Sequence, residues 1–206
     1  MRNHPITFPN VEGIDCEDAK QLYRAAVREH RKERPESSRE KLADLWIPLV
    51  RDFVKDCGRI ACYVSVNYEP PTYALCEALA ADGHDILLPK LGPGLQRSWG
   101  RFKGIDDLAQ LAPGRPPEPS GEALSNDVLG SVDAMIVPGL LVSRFGERIG
   151  QGGGWYDRAL KEVKPGAHIA AMVYPEEYVD FHLPADDMDV PVHYVITPFE
   201  VLETSL

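Results

Sequence analysis

Residues 132–160 decide the fold of this 206-residue chain, and they read VDAMIVPGLLVSRFGERIGQGGGWYDRAL. The first six positions are apolar apart from Asp133, which is typical of a strand buried on both faces of a sheet. Glycines follow at positions 150 and 152–154, and a helix is predicted over residues 155–163. A buried strand that passes through glycines into a helix is a unit of layered α/β domains.

Strands and helices alternate along the rest of the chain as well. A helix is predicted from Asp15, a capping residue, up to Pro35, which stops the pattern. Apolar residues at three- and four-residue spacing predict a second helix from Glu36, with a kink or an early end at Pro48. The other predicted elements are a helix over 73–81 and strands over 60–64, 86–88, 99–102, 168–173 and 192–196. This alternation indicates an α/β domain with a largely parallel sheet.

One domain is the simpler organisation for a chain of this length. Residues 1–14 contain two prolines and a glycine without periodicity, and they are predicted to be a flexible leader. Residues 15–206 are predicted to form a single α/β domain. The Pro- and Gly-rich stretch 112–121 would suit a linker, but too little chain flanks it to build two domains. The sequence leaves the oligomeric state open between a monomer and a weak dimer.

The charge balance argues against some classes of partner. The chain carries 32 acidic and 22 basic side chains, a formal net charge of −10, whereas a general nucleic-acid binder is expected to be basic. No apolar run approaches the ~18 residues of a membrane span, and the N-terminal segment lacks the apolar core of a signal peptide. The four cysteines have no spacing typical of zinc sites or disulfide scaffolds. We therefore expect a cytoplasmic protein with free thiols that binds neither nucleic acid nor membrane.

The glycine loop has the chemistry of an anion site. Glycines let a ligand approach main-chain N–H groups, and a helix N-terminus favours negative charge. Arg148 and Arg158 bracket the loop and can neutralise a phosphate, while Asp157 can cap the helix or hold Mg²⁺. A plain turn with a capping aspartate is the alternative. The spacing fits neither a P-loop nor a dinucleotide fingerprint, which would require a third glycine where Trp155 stands.

The signature as a whole is more specific than its glycines. Residues 138–158 resemble the pattern P-G-x-x-F-D-x-x-G-x-R-L-G-x-G-G-G-Y-Y-D-R of the 5-formyltetrahydrofolate cyclo-ligases. Further motifs similar to those of the family follow one another between about residues 19 and 198. They comprise Lys20 and Arg24 in a basic helix, Ser65, Glu69 and Thr72 after a strand, the dipeptide Glu118–Pro119, and Pro184, Asp189, Pro191, Val192, Ile196 and Thr197 near the C-terminus.

The resemblance implies a three-layer α/β/α domain and a ligase that depends on ATP and Mg²⁺. The family converts 5-formyltetrahydrofolate into 5,10-methenyltetrahydrofolate, with release of ADP and phosphate. A formamide oxygen is a poor leaving group, so it is phosphorylated before the neighbouring folate nitrogen attacks and closes the ring. The protein's part in such a reaction is positioning and charge stabilisation.

The resemblance also implies roles for individual residues. The residues expected to act in catalysis are Lys20, Arg148 and Arg158. The residues expected to contact ATP are Lys20, Arg24, Arg148, Gly150, Gly152, Gly153, Gly154, Trp155, Tyr156, Asp157 and Arg158. Asp157 is the expected Mg²⁺ ligand. Glu69 resembles the family's folate-contacting glutamate, and a carboxylate suits the amino and ring N–H donors of a pterin. Tyr156 and Trp99 are expected to line the same site.

Plainer interpretations stand beside these roles. Lys20 and Arg24 share a helix face and would also fit a solvated basic stripe. Glu69 precedes two prolines in a predicted loop, where an exposed glutamate is unremarkable. Trp99 would also fit as an ordinary tryptophan of an edge strand.

Departures from the family at functional-looking positions include Val142, Ser143, Gln151 and Met188. Ser143 stands where the family has an aspartate, Gln151 where an aromatic residue is usual, and Met188 where a histidine is common. These departures leave open a divergent paralogue that binds nucleotide or folate without this activity, or that acts on another substrate. A third class is a sugar-phosphate-handling protein of similar α/β build, which would use the glycine loop for the sugar's phosphate and ignore ATP.

Overall fold

The structure is a computed structural model that describes residues 5–91, 96–113 and 115–206. The first four residues of the expected leader, and residues 92–95 and 114 of the turn-rich stretch, lie outside that range. The helices are α1 (Cys16–Glu33), α2 (Glu36–Phe53), α3 (Tyr73–Ala81) and α4 (Trp155–Leu160). The strands are β1 (Arg59–Ala61), β2 (Asp85–Leu91), β3 (Arg97–Arg101), β4 (Leu108–Ala109), β5 (Glu118–Pro119), β6 (Ala134–Pro138), β7 (Leu141–Ser143), β8 (Arg148–Ile149), β9 (His168–Met172), β10 (Tyr178–Val179), β11 (Tyr194–Ile196) and β12 (Val201–Glu203).

A seven-stranded sheet organises the described residues, in the order β12-β11-β9-β6-β1-β2-β3. The strands from β11 to β2 run parallel, and β12 and β3 close the two edges in antiparallel orientation. The chain winds from β1 to β2 on one side and from β6 through β9 to β11 on the other. The direction of winding therefore reverses between β1 and β6, and ligands of open α/β sheets bind beyond the strand ends at such a reversal. The predicted largely parallel α/β sheet is confirmed.

Side chains that alternate along the central strands build the core on both faces of this sheet. Ile60 and Ile86 belong to one apolar cluster with residues of α2 and α3. Their neighbours Ala61 and Leu87 belong to a second cluster, which includes residues of α4 on the opposite face. The predicted three-layer arrangement of helices, sheet and helices is confirmed, because each face of the sheet needs its own apolar cover.

Helix α1 lies apart from these layers, against a small sheet of order β10-β7-β8. Asp15 caps it as predicted, accepting hydrogen bonds from the backbone N–H groups of Glu17 and Asp18. Tyr23 and Val27 of α1 pack in a third apolar cluster with residues of β7 and β8. This packing brings the basic face of α1 to the glycine loop that follows β8.

Four details differ from the sequence-based expectations. The described part of the leader is not free of the domain, because Ile6 joins the cluster under α1 and Phe8 makes an edge contact with Tyr23 at 5.8 Å. Irregular backbone can bury apolar side chains without periodicity, so the sequence pattern does not reveal these contacts. Helix α2 continues through Pro48. Helix α4 ends three residues earlier than predicted, at Leu160, and the short strands β7, β8, β10 and β12 were not predicted.

Asp133 ties the amino ends of β1 and β6 together, at the opposite end of the sheet from the glycine loop. Its carboxylate accepts hydrogen bonds from the backbone N–H groups of Gly58 (2.7 Å) and Arg59 (3.0 Å) and from Nζ of Lys164 (2.6 Å). The hydrogen bond from Lys164, followed by those from the two backbone groups, lowers the pKa of Asp133 to about 2.

We expect this carboxylate to make folding stability depend on pH. The folded pKa lies below the ordinary value of 3.8, so its stabilisation is present above that value and is lost as the pH falls towards about 2. Asp133→Asn is expected to reduce the free energy of unfolding by about 1–2 kcal/mol near neutral pH, after allowance for the partial exposure of the site, and by much less at about pH 2. Denaturant unfolding at several pH values, with Asp106→Asn at an exposed position as the control, measures this. A difference in the free energy of unfolding between Asp133→Asn and the wild type that stays constant with pH would contradict the role of the charge.

Candidate active site

A cleft of about 340 Å³ opens where the winding of the sheet reverses. Residues that follow β1, such as Tyr63 and Val64, line one wall together with Pro138 at the carboxyl end of β6. The glycine loop lines a second wall, and the side chains of Lys20 and Arg24 reach the cleft from α1. The glycine loop and the basic residues of α1, which were predicted separately to bind phosphate, therefore line the same cleft.

The glycine loop can take its conformation only with glycine at key positions. Gly152 and Gly154 have φ values of +104° and +55°, a region that residues with a Cβ avoid. A Cβ at Gly150 would lie 2.7 Å from Nη1 of Arg148. Helix α4 has only six residues, so its dipole is weaker than the sequence led us to expect. The positive charge of this wall therefore comes chiefly from arginine side chains.

Arg148 is buried and pairs with the partly buried Asp157 beneath the loop. Nη2 of Arg148 donates to Oδ1 of Asp157 at 2.7 Å, and Nη1 donates to the carbonyl of Pro138 at 3.2 Å. The Nε of Arg148 is buried and has no hydrogen-bond partner among the described residues. Arg148 is thus fixed in orientation between the end of β6 and the start of α4.

Two further guanidinium groups hold the carbonyls of the loop. Nε of Arg24 donates to the carbonyl of Gly150 at 2.9 Å, and Nη2 of Arg158 donates to the carbonyl of Gly153 at 2.8 Å. Sequence reasoning missed Arg97, whose Nη2 lies 3.4 Å from the same Gly153 carbonyl. Burial and the nearby charge of Arg158 lower the pKa of Arg97. Cations that converge in this way repel each other, and an anion bound between them relieves the repulsion.

Lys20 is held by two carboxylates on the far wall of the cleft. Its Nζ lies 2.8 Å from Oδ2 of Asp186 and 2.5 Å from Oδ2 of Asp189. Burial opposes the charge, but these hydrogen bonds outweigh it and raise the pKa of Lys20. Lys20 and Arg24 are 4% and 5% exposed, so they are not a solvated stripe. Asp186 is a second residue of the cleft that sequence reasoning missed.

Glu69 also lines the cleft and is 9% exposed. Its Oε2 accepts a hydrogen bond from the backbone N–H of Val66 at 3.0 Å, and its Oε1 accepts one from Nε2 of Gln151 at 3.0 Å. Burial raises the pKa of Glu69, and these hydrogen bonds act against the rise. Burial also raises the pKa of the Tyr156 phenol, which lines the cleft near Glu69 and stays neutral. The structure places Glu69, Tyr156 and the glycine loop around one cavity.

The prediction that Trp99 walls the substrate site is wrong. Trp99 is fully buried, with its ring 4.9 Å from that of Trp155 and its Nε1 donating to Asn126 at 3.2 Å. The backbone of Trp99 also pairs with that of Leu124, so this part of the chain covers the outer side of the edge strand. Trp155 lines the cleft, and Trp99 supports it from behind. Trp99 belongs to β3 at the edge of the seven-stranded sheet, which agrees with the alternative interpretation as a tryptophan of an edge strand.

The departure at Ser143 lies outside the cleft. Ser143 is fully buried, and its Oγ donates to Oε2 of Glu147 at 2.8 Å. Glu147 also accepts the backbone N–H of Leu183 at 2.7 Å and contacts Nδ1 of His182 at 2.7 Å. A carboxylate is therefore present at this corner, on Glu147 instead of on residue 143. The neighbouring Val142 is fully buried in the core, so neither change alters the lining of the cleft.

Comparison with known proteins agrees with this geometry. The profile of the 5-formyltetrahydrofolate cyclo-ligase family matches residues 17–198. The chain is 34% identical to a 5-formyltetrahydrofolate cyclo-ligase of Mycolicibacterium smegmatis over 190 residues, which cover 87% of this chain and 94% of that protein. It is 29% identical to the 5-formyltetrahydrofolate cyclo-ligase of Escherichia coli K12 over 151 residues, which cover 70% of this chain and 80% of that protein.

Solved structures have the same fold. The NMR structure of the Aquifex aeolicus 5,10-methenyltetrahydrofolate synthetase superimposes with a TM-score of 0.76 at 28% identity, covering 91% of this chain and 95% of that one. A 5,10-methenyltetrahydrofolate synthetase from Mycoplasma pneumoniae superimposes with a TM-score of 0.66 at 17% identity, over 86% of this chain and 97% of that one, and shows the fold alone. None of the helices in the described ranges combines the length and hydropathy of a membrane span. With its signature loop, its cleft and a profile match over residues 17–198, the chain belongs to the 5-formyltetrahydrofolate cyclo-ligase family.

Proposed function

We propose that this chain cyclises 5-formyltetrahydrofolate to 5,10-methenyltetrahydrofolate at the expense of ATP, which becomes ADP and phosphate. One observation carries the proposal: a single cleft is lined both by clustered cations and by the buried carboxylate of Glu69. Cations suit the phosphates of a nucleotide, and a carboxylate suits the N–H donors of a pterin. Family membership supports the pairing of these two ligands.

ATP supplies the phosphoryl group that turns the formyl oxygen into a leaving group. In the balanced reaction, the γ-phosphoryl group of ATP passes to the formyl oxygen as the terminal phosphorus–oxygen bond of ATP breaks and ADP leaves. The second folate nitrogen then bonds to the formyl carbon and gives up its proton, the carbon–oxygen bond breaks, and the oxygen and the proton leave as hydrogen phosphate. The chain's residues bind and orient. Arg158, Arg24 and the backbone of Gly152–Gly154 are proposed to hold the phosphates, while Arg148 keeps its place through Asp157 and Pro138. Charge stabilisation by groups already in position is the main source of rate in phosphoryl transfer.

Mg²⁺ fits the oxygen donors of the cleft. Asp157, Asp186 and Asp189 all line it, and Mg²⁺ is usually held by one or two carboxylates together with substrate phosphates. Within residues 5–91, 96–113 and 115–206 no group of three or more His, Cys, Asp or Glu side chains forms a metal site by itself. This agrees with a metal held jointly with the nucleotide, and Asp157 stays the proposed protein ligand, supplying a negative charge beside the phosphates.

We place both ligands on one domain, residues 15–206, and propose a cytoplasmic enzyme of small-molecule substrates. The cysteines Cys16, Cys57, Cys62 and Cys76 are free thiols, as a reducing compartment would keep them. Nucleic acid is not a proposed partner, given the net charge of −10.

The test is a spectrophotometric assay of the purified protein with 5-formyltetrahydrofolate, ATP and Mg²⁺. We expect the near-ultraviolet band of the methenyl product to grow only when all three are present, with ADP formed in equal amount. Omission of each component is the control. Binding of nucleotide without product formation would identify a paralogue that has kept the fold and the phosphate loop but lacks this activity or acts on another substrate.

A further inference from the structure

Gln151 lines the cleft and links three separate parts of the chain beside Glu69, the proposed folate-binding residue. Its Oε1 accepts hydrogen bonds from Nε (3.1 Å) and Nη2 (2.9 Å) of Arg28 on α1. Its Nε2 donates to Oε1 of Glu69, in the segment between β1 and α3, at 3.0 Å. The backbone carbonyl of Gln151 accepts a further hydrogen bond from Nη2 of Arg28 at 3.0 Å.

The two partners dictate the chemistry of the residue between them. A guanidinium requires an acceptor and a carboxylate requires a donor, and a primary amide supplies both on one rigid group. A glutamate at position 151 would satisfy Arg28 but repel Glu69, and a lysine would do the reverse. The long amide of Gln151 is therefore matched to an ionised Glu69 on one side and to Arg28 on the other.

The hydrogen bond from Gln151 leaves Glu69 able to bind a ligand in one orientation. A carboxylate has about four acceptor positions, two on each oxygen. Gln151 uses one on Oε1 and the backbone N–H of Val66 uses one on Oε2. One position on each oxygen then stays available, which matches two parallel N–H donors on a flat ring.

We propose that Gln151 is a positioning residue, which orients Glu69 for the folate and so sets the affinity for that substrate. The inference rests on the proposed function for the identity of the substrate, whereas the contact with Glu69 stands on the geometry alone. It gives the departure from the family pattern at this position a role on the folate side of the reaction.

The ionisation of Glu69 provides a readout that a loosened loop would not change. Burial raises its pKa, and the hydrogen bonds from Val66 and Gln151 and the charge of Arg31 lower it, while Glu177 acts in the raising direction. The phenols of Tyr63 and Tyr156 also face Glu69. Removal of the Gln151 donor should therefore raise the pKa of Glu69 further and narrow the pH range in which the carboxylate is charged.

The experiment compares Gln151→Leu, Gln151→Glu and Gln151→Lys with the wild type, with Gln110→Leu as the matched control. Gln110 donates to the carbonyl of Arg115 outside the cleft. We expect Gln151→Leu to raise KM for 5-formyltetrahydrofolate about tenfold. KM for ATP should change less than about twofold, and the acidic limb of kcat/KM should move to higher pH.

The variants Gln151→Lys and Gln151→Glu test the two contacts of the amide separately. Gln151→Lys keeps a donor for Glu69, so it should retain more folate affinity than Gln151→Glu, which keeps only the acceptor for Arg28. The opposite order would show that Gln151 acts by anchoring the loop to α1, and it would overturn the proposal.

A measurement that needs no turnover separates this inference from the proposed function. The pKa of the Glu69 carboxyl can be followed by NMR with ¹³C-labelled glutamate, with Glu69→Gln to assign the resonance. A higher pKa in Gln151→Leu than in the wild type supports the contact even if no methenyl product forms. An unchanged pKa of Glu69 overturns the inference. So does an active wild-type enzyme whose KM for 5-formyltetrahydrofolate is the same in all Gln151 variants.

Discussion

Arg158→Ala is expected to lower kcat/KM for ATP by about 100- to 1000-fold, the loss typical when one charge-stabilising donor is removed from an active site. Arg158 is exposed at the mouth of the cleft, and its Nη2 holds the carbonyl of Gly153. Arg97 lies beside it, because both guanidinium groups donate to the carbonyl of Gly153, and their positive charges repel each other. Because the side chain is exposed, the free energy of unfolding should change by less than about 0.5 kcal/mol.

Steady-state kinetics with varied ATP measures this effect, and two variants calibrate it. Arg158→Lys keeps the charge but loses the planar fork, so it should recover only part of the activity. Arg101→Ala removes an exposed arginine of the edge strand that pairs with Asp85, and it should leave the kinetics unchanged. An Arg158→Ala enzyme within about threefold of the wild type would remove Arg158 from the proposed phosphate site.

Ser143→Asp, which restores the residue of the family pattern, is expected to destabilise the protein by about 3–5 kcal/mol and to bring no gain in activity. Ser143 is fully buried and its hydroxyl lies 2.8 Å from the carboxylate of Glu147. The substitution would bury a second carboxylate against the first. Two carboxylates in contact cannot both stay ionised, so the destabilisation should lessen as the pH falls and one of them takes a proton.

Denaturant unfolding of Ser143→Asp, alone and combined with Glu147→Gln, tests this explanation. The double variant replaces the acceptor by an amide that can donate to the new aspartate, and it should recover much of the lost stability. Ser143→Ala is the control for loss of the hydroxyl alone, at about 1 kcal/mol. If Ser143→Asp were as stable as the wild type and turned over faster, the carboxylate missing from the signature would belong to the reaction after all.

The features predicted correctly from the sequence are those whose cause is local. A strand, a glycine turn and a helix within residues 132–160 determine the layered fold and the loop, and Asp15 identifies the start of α1 through its own cap. Periodicity cannot show which buried residue faces a cavity and which faces a neighbouring strand. For this reason Trp99 was assigned to the substrate site, although it lies behind Trp155.

The features that could not be predicted depend on contacts between distant parts of the chain. Lys20 and Asp186 are 166 residues apart in sequence, and no spacing rule pairs them. The hydrogen bond between Ser143 and Glu147 cannot be inferred from the sequence, because it depends on the turn that brings the hydroxyl to the carboxylate. Gln151 had no signal beyond its difference from the family pattern, and its role depends on the positions of Arg28 and Glu69 on two other elements.

The two carboxylates on Lys20 have a consequence for the turnover cycle. Asp186 and Asp189 neutralise this cation in the structure, so a nucleotide at the proposed phosphate site would gain at Lys20 only the difference between a phosphate and the carboxylates that it displaces. The same carboxylates can form their ion pairs with Lys20 again after the phosphate has left. With the proposed function, they would compete with any bound phosphate for Lys20, which would weaken the binding of the spent nucleotide and speed its release.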